Sequence, residues 1–255
     1  MTNQDPYKFI QMNFVFANIL GSVNYTYFVV IHSRNVMEKF LDRLDAGAVL
    51  ASYLEDYAMR SDVIALALPR GGVPVGYEVA LALSIPLDVF VVRKLGVPGH
   101  EELALGSIAS GDTVVFNEQL IDELKLEESA VQDIKHCEQK ELLRREHLYR
   151  GNRPFPMLEG KTVILIDDGI ATGATMRVAV KAIRAHKPAR IIIAVPVAAH
   201  SSCEEIAALV DEMICPVKPI KFYAVGMWYE HFTETSDKEV IELLEKLNLH
   251  RHYSR

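Results

Sequence analysis

Cysteine is scarce in this sequence, and its spacing fits neither a disulfide framework nor a metal site. The three cysteines, Cys137, Cys203 and Cys215, are odd in number and lie far apart, with no C-x-x-C pair among them. Such usage is typical of reduced thiols. We therefore expect a cytoplasmic protein.

Basic blocks and long apolar runs are also missing. The chain has 27 Lys and Arg against 34 Asp and Glu, which gives a formal net charge of −7. An acidic chain without a basic stripe argues against a nucleic-acid-binding surface. No apolar run nears the roughly 18 residues that a membrane span requires. Residues 1–36 also lack the basic leader and cleavage site of a signal peptide. We predict no nucleic-acid partner and no membrane association.

Buried strands and amphipathic helices alternate along the chain. Residues 63–68, 163–166 and 191–195 are aliphatic and uncharged, as in strands that are covered on both faces. Helical periodicity follows each of them. This order predicts an α/β fold, with a parallel-sheet core, helices on both faces and a small hood made from terminal segments.

The most informative stretch is residues 163–175, V-I-L-I-D-D-G-I-A-T-G-A-T. Four aliphatic residues predict a buried strand, Asp167 and Asp168 mark its end, and a small glycine-containing turn opens a helix. The free N–H groups and positive dipole of such a helix N-terminus suit a phosphate. Two acids would repel an isolated phosphate, so they must meet hydroxyls, a metal ion or a developing positive charge. The plain alternative is that the acids only end a strand and Gly173 only relieves a turn.

Two common nucleotide-binding motifs are absent from this stretch. A P-loop needs a lysine where Ala174 stands, and no G-x-G-x-x-G fingerprint occurs. A metal phosphoesterase using the two acids would lack a histidine cluster. None of these three classes of protein explains the pattern.

The run resembles the 5-phosphoribosyl-1-diphosphate (PRPP) motif of type I phosphoribosyltransferases. The resemblance implies that Asp167 and Asp168 are catalytic and hold the ribose 2′- and 3′-hydroxyls. It implies that the 5′-phosphate is bound by the loop residues Gly169, Ala171, Thr172, Gly173, Ala174 and Thr175. Mg²⁺ prefers oxygen ligands, keeps waters and bridges phosphates, so we expect it on PRPP and not in a dedicated protein site.

A second glycine turn, P-R-G-G-V-P at residues 69–74, also joins a buried strand to a helix. We expect it at the same sheet edge, where it can hold a second anion. In the family this is the pyrophosphate loop, which implies that Arg70, Gly71 and Gly72 bind PRPP and that Arg70 is catalytic. The plain alternative is a β-turn with a solvated arginine.

A strand is predicted at residues 87–92, ending in Arg93 and Lys94, and a glycine-rich segment follows. The segment resembles the flexible loop that closes over PRPP in these enzymes. Both cations are therefore assigned to PRPP binding. Lys94 is the preferred catalytic contact, since a strand's end is better positioned than the middle of a loop. His100, Glu101 and Glu102 lie in this segment, and they either carry protons in the reaction or are ordinary surface residues of the loop.

The acceptor is left open by the aromatic segment at residues 222–232. Tyr223 stands where hypoxanthine-type members place an aromatic that stacks on the purine, although core packing also explains such residues. Ala171 replaces the aspartate that handles the base proton in those enzymes. The resemblance implies transfer from PRPP to a nitrogenous base or related acceptor. The alternative is a PRPP- or nucleotide-sensing regulatory protein of the same fold.

Residues 37–47 resemble the start of a subgroup of phosphoribosyltransferases whose acceptor is unassigned. Phe40, Asp42, Arg43, Ala46 and Gly47 stand in the expected places. We therefore predict one domain over residues 37–255. Residues 1–36 are predicted to be an N-terminal extension that is poorly ordered or arises from an upstream start. The subgroup also carries a charged helix like that at residues 127–149, and we expect a homodimer.

Overall fold

The computed structural model describes residues 7–16, 23–32, 39–97 and 100–253. The chain divides into two compact units, Met1–Lys39 and Phe40–Arg255. In the first unit, β1 (Tyr7–Phe16) and β2 (Val23–His32) form an antiparallel hairpin in which Tyr7 lies opposite His32. That residues 1–36 are an extension stays a prediction.

The second unit is an alternation of helices and strands. In chain order they are α1 (Arg43–Ala51), β3 (Val63–Ala67), α2 (Gly72–Leu83), β4 (Leu87–Val89), β5 (Val92–Val97), β6 (His100–Ala109), β7 (Thr113–Phe116), α3 (Glu118–Leu124), α4 (Glu128–Arg150), β8 (Thr162–Ile166), α5 (Ala174–Ala185), β9 (Arg190–Ala194), α6 (His200–Ala207), β10 (Glu212–Ile214) and α7 (Asp237–Tyr253). Short 3-10 helices occur at Glu55–Tyr57 and Val225–Trp228. Among the helices of the described residues, none combines the length and the apolar character that crossing a bilayer demands.

A parallel sheet with the strand order β10-β9-β8-β3-β4 forms the centre of this unit. Neighbouring side chains on its inner strands enter two different cores. Ala65 and Ile164 pack with residues of α1, α2, α4 and α7, whereas Leu66 and Leu165 pack with α5 and α6. Strands covered on both faces need aliphatic residues at every position, which is why the sequence shows no alternation there. The predicted α/β class with helices on both faces is confirmed.

Strands β5, β6 and β7 form a separate antiparallel sheet. The prediction of one strand over residues 87–92 was wrong, because β4 ends at Val89. Val91 instead pairs with Ser110: the Ser110 N–H donates to the Val91 carbonyl and the Val91 N–H donates to the Ser110 hydroxyl, each at 2.9 Å. Arg93 and Lys94 therefore lie inside β5 and not at the end of a strand of the parallel sheet.

The hood consists of residues 40–42 and 217–232, from the two ends of the second unit. The Phe40 N–H donates to the Trp228 carbonyl at 2.9 Å, and the Glu230 N–H donates to the Phe40 carbonyl at 2.8 Å. Phe40 and Tyr229 pack with Ala46 and Val197 in a small buried cluster of their own. These contacts place the hood beside the carboxyl ends of β8 and β9.

Candidate functional site

The candidate phosphate loop, residues 169–173, joins β8 to α5. Gly173 is the N-cap of α5 and has a φ of +72°, a left-handed conformation that favours glycine. A Cβ at this position would also approach Cδ1 of Ile206 to 2.6 Å. The loop therefore requires glycine for two reasons, and it leads directly into a helix whose first N–H groups have no partner within the helix.

Side chains from α5 and α6 hold the carbonyl groups of this loop. The Ser202 hydroxyl donates to the Ala171 carbonyl at 2.6 Å, and the Arg177 guanidinium donates to the Thr172 carbonyl at 2.9 Å. A cavity of about 180 Å³ opens at the loop, lined by Asp167, residues 169–176 and Val225. Sequence reasoning missed Ser202, because a serine near a helix start carries no motif that links it to a loop thirty residues earlier.

Asp167 and Asp168 follow β8 directly, and Asp167 lines the same cavity. Burial raises the pKa of Asp167 well above its ordinary value, and repulsion by Asp168 raises it further. The Asp168 N–H, which donates to Oδ1 of Asp167 at 2.9 Å, opposes this. Burial also raises the pKa of Asp168, against the attraction of Arg43. Two crowded and poorly solvated carboxyl groups favour a ligand that brings hydroxyl donors or positive charge.

The second glycine turn, residues 69–72, lies against these acids. A Cβ on Gly71 would come within 2.1 Å of Oδ2 of Asp168, and one on Gly72 within 2.8 Å of the Ile166 carbonyl oxygen. The turns are neighbours because β3 and β8 are adjacent and parallel, so both chains leave the sheet at one edge. The Pro69–Arg70 peptide bond is cis. The expected meeting of two glycine turns and two acids is present.

Arg70 extends from the second turn and is bound by acids near the start of α7. Its guanidinium contacts the Glu234 carboxylate and lies 3.9 Å from Oδ1 of Asp237. The Glu234 side chain is 78% exposed. A carboxylate so open to solvent contributes little to stability and is easily exchanged for another anion.

Two residues that sequence reasoning did not assign to the site hold Asp168. Nε of Arg43, at the start of α1, donates to Oδ2 of Asp168 at 2.8 Å, and the Tyr229 hydroxyl donates to the Asp168 backbone carbonyl. Burial raises the pKa of Tyr229, so this hydroxyl stays a donor. No motif spacing could have found the first contact, since 125 residues separate its partners.

The two cations of β5, Arg93 and Lys94, are not equivalent. Arg93 and Lys94 are consecutive in β5, so their side chains point to opposite faces of the sheet. Arg93 donates to Oε2 of Glu138 on α4 at 2.7 Å, whereas Lys94 is exposed. The side chains of His100, Glu101 and Glu102 lie outside the described residues, and their roles stay predictions.

The aromatic segment places Tyr223 apart from its neighbours. Phe222 and Trp228 stack on one another with ring centroids 6.4 Å apart, and Tyr229 is buried in the hood. Tyr223 is 79% exposed and precedes the 3-10 helix whose Val225 lines the cavity. It therefore offers an accessible ring near the loop, and base stacking there stays a prediction.

Comparison with known proteins gives consistent matches. A family model described as the phosphoribosyl transferase domain matches residues 38–230. Two Mycobacterium tuberculosis proteins, named as candidate phosphoribosyl transferases, are 41% identical over 210 residues. The match covers 82% of this chain and 47% of theirs, so the chain spans about half the length of these relatives. The crystal structure of TT1426 from Thermus thermophilus is similar with a TM-score of 0.71 and 37% identity, covering 82% of this chain and 99% of that one.

Proposed function

The chain belongs to the phosphoribosyl transferase domain family, and from this premise we propose that it is an Mg²⁺-dependent phosphoribosyltransferase. It transfers the 5-phosphoribosyl group of PRPP to a nitrogenous base or related acceptor and releases pyrophosphate. The observation that carries the proposal is the close approach of Gly71 to the Asp168 carboxylate. A sugar with phosphorus at both ends matches two anion-binding turns with two acids between them.

Each part of PRPP has a counterpart in the site. The loop at residues 169–173 and the start of α5 receive the 5′-phosphate through backbone N–H groups and the hydroxyls of Thr172 and Thr175. The turn at residues 70–72 receives the pyrophosphate, with Arg70 donating to its oxygens. Asp167 and Asp168 accept from the ribose hydroxyls.

The acids also serve the chemical step. The bond between the anomeric carbon and the pyrophosphate oxygen breaks and its electrons leave with pyrophosphate, while the acceptor supplies the electron pair of the new bond to that carbon. Positive charge then develops on the ribose ring. Asp167 and Asp168 lie in a poorly solvated position, where a negative charge stabilises that ring more strongly than it would in water. Their raised pKa values describe the ligand-free protein, and an approaching positive charge favours the ionised carboxylates.

Mg²⁺ would neutralise the departing pyrophosphate. Within the part of the chain that the structure describes, no group of three or more His, Cys, Asp or Glu side chains is arranged around a metal position. Because Mg²⁺ keeps waters and bridges phosphate oxygens, we assign it to the diphosphate of PRPP. Arg70 and Lys94 supply further positive charge from the chain.

The acceptor side of the site is less defined. Ala171 is exposed and has no proton-accepting group, so either the incoming nucleophile needs no base or another side chain supplies one. Tyr223 would stack on a planar acceptor. Both features are compatible with several nitrogenous bases.

Incubation of the protein with Mg²⁺, PRPP and a panel of bases tests the function. We expect pyrophosphate release that depends on one base or a small group of related bases. Binding of PRPP without turnover of any base would favour the sensing alternative. Absence of PRPP binding would contradict both.

Arg70→Ala is expected to weaken PRPP binding by about tenfold or more, because charge-assisted hydrogen bonds to phosphate are lost. Binding of ribose 5-phosphate, which has no pyrophosphate, should change little. Titration calorimetry with both ligands measures the difference. Equal losses would show that Arg70 does not face the pyrophosphate.

Glu234→Gln is the matched control for this arginine. It removes the carboxylate that contacts Arg70 and leaves the arginine in place. An exposed ion pair is weak, so we expect PRPP binding to tighten by about twofold to fivefold. Weaker binding would mean that Glu234 orients Arg70 for the ligand and does not compete with it.

A further inference from the structure

Arg43 is a fixed cation at the edge of the candidate site. Nε donates to Oδ2 of Asp168 at 2.8 Å, and Nη1 donates to the Thr233 backbone carbonyl at 2.7 Å. The centre of the guanidinium lies 3.9 Å from the centroid of the Phe232 ring. Only 11% of the side chain is exposed. Three contacts from two distant segments thus define one orientation of a group that is permanently charged.

These contacts fix one carboxylate oxygen of Asp168, Oδ2, and do not involve the other, Oδ1. Oδ2 lies 2.8 Å from Nε of Arg43 and 2.1 Å from the position where a Cβ of Gly71 would lie. Among the described residues, no side chain donates a hydrogen bond to Oδ1. The carboxylate therefore has one oxygen bound to the protein and one that remains for a ligand.

We propose that Arg43 is a positioning residue for the ribose subsite, which holds Oδ2 of Asp168 so that Oδ1 meets a ribose hydroxyl of PRPP. This positioning role rests on the proposed function, in which Asp167 and Asp168 accept hydrogen bonds from the ribose hydroxyls. Arg43 itself touches no reacting atom. Its contribution is to the orientation and ionisation of Asp168, so its loss should affect the sugar part of the ligand and spare the pyrophosphate.

The groups that face Asp168 determine how its ionisation responds to a substitution. Asp167 precedes it on the chain, Arg43 approaches from α1, the Tyr229 hydroxyl approaches from the hood, and the turn at residues 69–72 contributes the uncharged Gly71. Burial raises the pKa of Asp168 and Arg43 lowers it. Without the arginine the pKa rises further. The acidic limb of PRPP binding therefore moves to higher pH.

The test uses Arg43→Met and Arg43→Lys in the full chain, with PRPP and inorganic pyrophosphate as probes. We expect Arg43→Met to weaken PRPP binding by about tenfold or more and pyrophosphate binding by less than about twofold. In this variant the acidic limb of the pH profile of PRPP binding should shift to higher pH. Arg43→Lys keeps the positive charge but not the planar guanidinium with its several donors. Its affinity for PRPP should therefore lie between that of Arg43→Met and that of the wild type. If Arg43→Met fails to fold, PRPP and pyrophosphate binding by Arg43→Lys test the proposal instead, because lysine keeps the charge.

Arg60→Met is the control. Arg60 also pairs with an aspartate, Asp62, and lies over an aromatic ring, Tyr57, but it precedes β3 at the other end of the sheet. Its replacement should leave the affinity for PRPP and the pH profile unchanged. A loss as large as that of Arg43→Met would overturn the positioning role, because it would point to a general effect of removing an arginine.

A double-mutant cycle with Asp168→Asn tests whether Arg43 acts through Asp168. In the Asn background, Arg43→Met should add less than about twofold to the loss of PRPP affinity, since residues that act through one contact are not additive. Full additivity would overturn the role of Arg43 while leaving the proposed function intact. A wild-type protein that binds no PRPP would overturn both.

Discussion

Replacing Asp167 and Asp168 together by asparagine is expected to lower phosphoribosyl transfer at least about 100-fold, since a preorganised charge in a poorly solvated site is lost. The amides keep the size of both side chains and can still bond to hydroxyls. Binding of pyrophosphate, which we assign to the turn at residues 70–72 and to Lys94 and not to the two acids, should persist. Initial rates of pyrophosphate release measure the loss, and unchanged rates would contradict the assignment of both acids.

The same carboxylates are expected to cost stability in the ligand-free protein. Burial and the neighbouring Asp168 raise the pKa of Asp167, so the folded state binds protons more tightly than the unfolded state between the ordinary Asp pKa and the raised one. Wild-type stability should therefore increase as pH falls through the raised pKa. Asp167→Asn lacks this dependence. Its Tm should exceed that of the wild type by a few degrees at neutral pH, and the gap should close in acid.

Asp211→Asn is the control with the opposite sign. Oδ2 of Asp211 accepts from the Ile191 N–H at 2.8 Å, and this hydrogen bond, with help from Arg184, lowers the pKa of the carboxyl. Such a group stabilises the fold above its ordinary pKa, and that stabilisation is lost as pH falls through the lowered pKa. Replacing it should lower the Tm at neutral pH. A lower Tm for Asp167→Asn as well would mean that Asp167 is a structural residue.

The parallel sheet and its two glycine turns could be predicted because their signals are local. Residues 163–166 are fully buried and aliphatic, and the acids after them mark the edge of the sheet. The adjacent strand at Val63–Ala67 is also buried and aliphatic, and a turn that contains Gly71 and Gly72 follows it. Parallel strands of one sheet end at the same edge, so both turns can be placed side by side without any knowledge of long-range contacts.

Other features could not be read from the sequence. Val89, Phe90 and Val91 are all buried, so hydrophobicity does not reveal that the chain changes sheets between them. The change is set by the pairing of Val91 with Ser110, and it places Lys94 within β5. The contact of Arg43 with Asp168 is likewise invisible, because it forms only when the start of α1 meets the end of β8 in the folded chain.

Gly71→Ala is expected to reduce PRPP turnover by about 100-fold in a protein that still folds. Gly71 has φ and ψ of −59° and −32°, which any residue adopts, so alanine brings no backbone strain. Its Cβ would lie 2.1 Å from Oδ2 and 2.8 Å from Cγ of Asp168. The carboxylate must move, and a displacement of about 1 Å in a catalytic group costs about 100-fold.

The carboxylate has no easy direction in which to move. Nε of Arg43 lies 3.2 Å from the same Cβ position and already binds Oδ2, so a rotation that avoids the new methyl group breaks that bond. Turnover measured together with the Tm separates this effect from unfolding. Full activity in Gly71→Ala would show that the observed orientation of Asp168 is dispensable, which contradicts the roles proposed for both Asp168 and Arg43.

Gly160→Ala provides the reverse pattern. Gly160 has a φ of +71° and open space around its Cβ position, so alanine there meets backbone strain and no side chain. The fold should lose about 1 kcal/mol, while turnover per folded molecule stays unchanged. The pair of variants thus separates the two uses of glycine in this chain. At residue 160 it permits a left-handed turn, and at residue 71 it leaves room for the Asp168 carboxylate, to which we assign a ribose hydroxyl.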